Sequence, residues 1–188
     1  DALPIWEIMN SIIGEMDLTK YFILLIFPFF LLYIFKFFLN QSFVRKSNIP
    51  KRELKEQKIN LIELQKKSFV YYSFLINIYF VLHLVMVIFL GMFLGSFYEY
   101  GYFTNQSNAI SYAFLTLVTA LIILLINLLV AILRIKFLHT DQGKLYVETH
   151  KNVFLLNSKQ KIAWFSIHIL SVILAGFNIL LFLNSTVY

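Results

Sequence analysis

The residues of this chain with chemistry to offer are His83, His139, His150 and His168, the arginine Arg134, and the asparagines Asn77, Asn127 and Asn178 that interrupt long apolar runs. A catalytic zinc needs three protein ligands, and the four histidines form no HExxH motif and no i/i+4 pair. The absence of cysteine removes thiolate ligands, thiol nucleophiles and disulfides. No acidic residue stands well inside an apolar run, so aspartyl and metalloprotease mechanisms lose their bases. Ser166 and His168 are two positions apart and cannot face each other on a helix, which removes the obvious serine nucleophile. No glycine-rich phosphate loop is present, and a proton-coupled pump would lack its usual membrane carboxylate, although histidine can carry protons alone. The residues read as those of a non-enzyme, with no cofactor and no metal site.

The elements that must position these residues follow from hydropathy. The 188-residue chain is 60% hydrophobic and 14% charged, with a mean hydropathy of +0.76, more apolar surface than a soluble domain of this size can bury. Four runs, at about 21–39, 69–97, 110–137 and 162–183, are long enough to cross the hydrocarbon. The second and third exceed what a bilayer needs and should tilt or project into water. The expected fold is an all-α integral membrane protein, a single membrane domain over 1–188 with four transmembrane helices, an N-terminal interfacial helix and structured cytoplasmic loops at 40–68 and 138–161.

Charge sets the expected orientation. Fifteen of the sixteen Lys and Arg lie in or beside the two long loops, and the ten acids divide evenly, leaving that side at +10 and the other at −4. The positive-inside rule then places both termini in the periplasm of a bacterial inner membrane, and both long loops in the cytoplasm. Basic residues beside membrane spans are topology determinants and contacts for anionic lipids of the cytoplasmic leaflet, which argues against direct nucleic-acid binding. The first eighteen residues are acidic and lack the basic n-region of a signal peptide. Within them Ile5, Trp6, Met9, Ile12, Ile13 and Met16 recur at helical spacing, which suits a helix in the outer interface.

Pro28 interrupts the first span and removes one backbone donor. In the first long loop, KRELKEQKINLIELQKKSF is rich in strong helix formers, with Leu54, Leu61, Ile62 and Gln65 on one face. It should form a helix, capped by Asn48 or Ser47 near Pro50, that continues into the second span. In the second long loop, KLYVET and NVFLL are short β-rich runs, consistent with a small hairpin or with helical turns.

In lipid, small residues let helices approach and polar ones hydrogen-bond across them, so their positions should mark buried faces. The second span offers Ser73, Asn77, Leu84, Gly91 and Gly95, with GMFLG as a small-xxx-small pair. The third carries Ala113, Thr116, Ala120, Asn127, Ala131 and Arg134 on one stripe, and the fourth His168, Ser171, Ala175 and Asn178. His83 lies off the Asn77 face and is read as a neutral imidazole bonded to another helix. These stripes describe helix packing, a protomer interface, or the lining of a narrow polar path; Asn127 suits either polar role, and Arg134 is placed for snorkelling or lipid contact.

Three function classes fit. The first is a homo-oligomeric membrane subunit that holds or signals to a soluble cytoplasmic protein through Lys51, Arg52, Lys55, Lys58, Lys144 and Lys151. The second is a small oligomeric channel or membrane-perturbing effector lined by the third-span stripe. The third is an immunity protein that intercepts a pore-forming toxin. Four spans in under 200 residues, basic cytoplasmic loops and a Lys, Asn, Ile and Phe bias give a layout that resembles the membrane subunit of the Kiwa anti-phage system. The resemblance implies an oligomer that recruits a cytoplasmic DNA-binding partner in antiviral defence.

Overall fold

The computed structural model describes residues 17–100, 107–151 and 153–186. The expected interfacial helix over residues 5–16 lies outside them. Six helices form the described chain: α1 (Leu18–Ser47), α2 (Lys51–Ser68), α3 (Val70–Tyr100), α4 (Ser107–Leu138), α5 (Asp141–Thr149) and α6 (Ser158–Thr186). No strand occurs among the described residues. Four of them, α1, α3, α4 and α6, are long and apolar enough to cross a membrane. The protein is an all-α, multi-pass membrane protein whose spans run several residues past the limits expected from hydropathy.

The spans pack in the order α1, α6, α4, α3, with α4 and α6 at the centre. α4 can be central because its stripe is small: Ala109, Ala113 and Ala120 are buried and receive the large rings of Tyr21, Phe93 and Phe182 from the other three spans. With no hydrophobic drive between helices in lipid, such ring-into-alanine packing is the main source of association. Among the spans α3 packs mainly on α4, with Phe93 also meeting the Tyr21 ring of α1 at 4.7 Å, and only 6% of its most apolar window is buried.

This arrangement corrects the expected face of the second span. Asn77, Leu84, Gly91 and Gly95 point outward, and a Cβ added at either glycine would meet nothing within 4 Å. The packed side carries Tyr72 and Phe93 instead, because the small residues of this interface are supplied by α4. On α4 and α6 the expected stripes are buried: Ala113, Thr116, Ala120 and Ala131 on one, His168, Ser171, Ala175 and Asn178 on the other.

The two shorter helices close the basic end of the bundle. α1 stops at Asn48, whose left-handed backbone (φ 54°) lets its N–H bond Val44 O, with Arg45 and Lys46 in the last turn opposing the helix dipole. α2 starts after Pro50 without the expected side-chain cap from Ser47 or Asn48, since Asn48 is spent closing α1. It also ends before α3: Phe69 is extended (φ −127°, ψ 109°), so loop helix and second span are separate elements. Leu54, Leu61 and Gln65 are buried as the face analysis expected, whereas Ile62 is exposed.

The hairpin reading of KLYVET is wrong; the segment is α5. Thr140 Oγ1 accepts from Gly143 N at 3.1 Å, which starts a helix, and Gly143 packs so closely on the end of α4 that a Cβ would lie 1.9 Å from Phe137 O. Local capping and close approach outweigh the strand preference of Tyr146 and Val147, which are buried from the helix instead. Tyr146 Oη then donates to Gln57 O at 2.5 Å, tying α5 to α2. Leu54, Leu61, Tyr146, Val147 and Phe154 share one apolar core with Phe43, Phe137 and Trp164 at the span ends, so cap and spans are one packed unit.

Candidate functional site: a cationic cavity at the basic end

Beneath α2, every helix except α5 contributes to a cavity of about 310 Å³. α1 supplies Lys36, α2 Lys58 and Gln65, α3 Tyr72 and Tyr79, α4 Asn127 and Arg134, and α6 Trp164 and His168. Its depth follows from helix geometry: Lys36 is about 27 Å along α1 from Leu18 at 1.5 Å per residue, close to the roughly 30 Å thickness of a hydrocarbon core. The cavity therefore lies toward the loop-bearing end of the spans, beneath α2.

Three cations line it without an acid. Lys36, Lys58 and Arg134 are all partly buried, and no described carboxylate comes within ion-pair distance of any of them. Lys36 Nζ reaches Asn127 Oδ1 at 3.5 Å, and Asn127 Nδ2 donates to Tyr79 Oη at 3.3 Å. Arg134 lies over the Trp164 ring at 5.3 Å, a cation–π contact. Lys58 donates to Asn40 Oδ1 and lies over the Phe43 ring. Burial, and then the like charge of Arg134, hold the Lys58 ammonium pKa down at about 8.

Two buried donors in the lining have no acceptor. Gln65 is 1% exposed with Nε2 unbonded, and Trp164 is 5% exposed with Nε1 unbonded. Such groups are normally paired, and leaving each unpaired costs about 1–3 kcal/mol. His168 Nδ1 is 2.6 Å from Trp164 O, and a carbonyl only accepts, so that nitrogen carries the proton.

The residues singled out in sequence divide into four groups. Asn127, Arg134 and His168 meet at the cavity. Lys58, expected on a partner-binding surface, turns into it, because it sits one turn before Leu61 and two before Gln65 on the packed side of α2. Lys51, Arg52, Lys55, Lys144 and Lys151 are exposed. Among the polar groups of the spans, Asn127 and Asn178 bond across helices and Thr116 meets Tyr21 of α1 as well as Tyr112 O, whereas Ser171 and His83 bond the carbonyls of Ile167 and Tyr79 in their own helices. Instead of the expected bond to another helix, His83 bonds within its own among the described residues, and its ring packs on Tyr79 at 4.3 Å. Sequence reasoning passed over Gln65 as a ligand-facing group, and Trp164, Tyr72 and Tyr79 altogether. The available signal was Lys36 between Phe35 and Phe37, and Arg134 in AILRIKF, cations where apolar residues are expected.

No known protein family, curated protein or solved structure matches the chain.

Proposed function

We propose that the chain is a non-enzymatic subunit of a bacterial inner membrane that self-associates and anchors, or signals to, a soluble cytoplasmic protein. The observation that carries this reading is the cap: α2 and α5 share one apolar core with the span ends while Lys51, Arg52 and Lys55 stay exposed on α2. A rigid basic surface fixed to four spans suits holding a partner more than it suits a chemical step. The charge asymmetry of the loops supports a cytoplasmic cap with both termini outside. The outward face of α3, with polar Asn77 and small Gly91 and Gly95 directed at lipid, supports self-association there. The resemblance in layout to Kiwa-type membrane subunits makes phage restriction the setting in which to look for the partner.

The test is recruitment. Replacing Lys51, Arg52 and Lys55 together by glutamine is expected to leave insertion intact and to abolish co-purification of the cytoplasmic protein that the native chain retains in mild detergent. Lys58 is left in place because it faces the cavity. Equal recovery of that protein with the triple variant would remove the reading.

A further inference from the structure

The cavity lends itself to an assignment that does not depend on partner docking. Its lining leaves one need unmet: Lys36, Lys58 and Arg134 bring positive charge together without a described acid. Water would hydrate the cations but would not neutralise them. A metal ion would be repelled. A neutral polar ligand would leave the charge in place, at a desolvation cost of several kcal/mol per buried ion.

An anion with several oxygens meets every requirement. A carboxylate offers two oxygens in a plane and one charge; a phosphate group offers oxygens in several directions and matches the guanidinium fork of Arg134. The volume, about 310 Å³, is at the small end of ligand cavities. Its remaining wall is apolar, with Ile76, Val130 and the exposed Ile62, as the carbon backbone of a phosphate ester would need. Lys36, about 27 Å along the first span from Leu18, sets the cavity near the edge of a roughly 30 Å hydrocarbon core, the edge next to the lipid phosphates.

We propose that this cavity binds a phosphate-bearing group, with Arg134, Lys36 and Lys58 as counter-charges. The phosphate belongs either to a membrane phospholipid entering sideways or to a soluble phosphate compound entering beneath α2, and the experiment separates the two. Full-length protein, stripped of lipid in detergent, is titrated with phosphatidylglycerol, with diacylglycerol of the same chains and with inorganic phosphate, following thermal stability and native mass.

Phosphatidylglycerol binding without phosphate binding assigns the site to lipid; binding of inorganic phosphate assigns it to a soluble ligand. In either case Arg134→Gln is expected to weaken binding by about ten- to a hundredfold, the usual effect of losing a charged hydrogen bond. Without ligand, that variant should be at least as stable as the native chain, because it no longer buries an unpaired charge. If Arg134→Gln does not fold, Lys36→Met is read in its place. No binding of either phosphate compound, equal binding of diacylglycerol, or equal affinity in native and variant chains would each overturn the assignment.

Discussion

Lys36 stands between Phe35 and Phe37 near the end of an apolar span, and Lys58 lies across the cavity from it on α2. Neither charge has a described acid to offset it, and Lys58 responds by holding its proton less tightly, down to about 8 against 10.5. The groups that face it are Lys36 from α1, Arg134 from α4, Tyr72 and Tyr79 from α3 and His168 from α6, with Asn40 and Phe43 in direct contact. Because the unfolded chain keeps this proton up to about pH 10.5, it binds more protons than the folded chain above pH 8. Stability should therefore rise between pH 8 and 10.5, by an amount on the order of 1–3 kcal/mol. Thermal unfolding in detergent checks this, and Lys58→Met should flatten the rise. Phosphate affinity should move the opposite way, falling as pH rises through 8 and Lys58 loses its charge. In sequence, both lysines were counted correctly as charges of the loop-bearing side. Their convergence was not legible, since the lining comes from five helices and no spacing along one chain segment records it.

At the scale of the element, the polar residues of the spans answer specific backbone debts. Pro28 has no N–H to give Leu24 O, and Asn178 Nδ2 donates to that carbonyl at 2.5 Å from the fourth span. A carbonyl left bare in hydrocarbon is costly, so Asn178→Leu is expected to destabilise the bundle by about 1–3 kcal/mol. In a Pro28→Ala background, where the helix supplies its own donor, the same substitution should cost clearly less; unfolding of the four proteins in a double-mutant cycle measures the difference. Gly143→Ala tests a second element. The added methyl would collide with Phe137 O, so α5 must lift off α4, with a loss of about 1–3 kcal/mol and faster proteolysis of the cap. Pro28 and Asn178 were each conspicuous in the sequence, but nothing there paired positions 154 apart. The identity of α5 was hidden for a different reason: its side chains favour a strand, and the deciding contacts are a threonine cap and one close backbone approach.

For the whole molecule, hydropathy made the four spans legible because bilayer thickness imposes a length that composition alone reveals. Packing order was not legible, since lipid tails are as apolar as the side chains and the choice of neighbours rests on shape: the alanines of α4 receiving Tyr21, Phe93 and Phe182. The proposed orientation has a direct check, made clean by the absence of native cysteine. A single cysteine at Asn184, exposed at the end of α6 opposite the cap, should react with a membrane-impermeant maleimide in cells with a permeable outer membrane, and one at the exposed Lys55 only after lysis. The reverse pattern would invert the topology.

The bond from Asn178 to Leu24 also bears on how the chain is made. The first of the four spans carries a defect that α6 mends, and α6 also occupies the place between the first and third spans. Until it arrives, the nascent protein has a bare carbonyl in the bilayer, and α1 meets the middle spans mainly through Tyr21, on Ala113 O and the Phe93 ring, and through Lys36 on Asn127. Completion is thereby marked chemically, and a chain stopped short of α6 should be recognised and degraded by the membrane's quality-control proteases rather than persist as a three-span fragment.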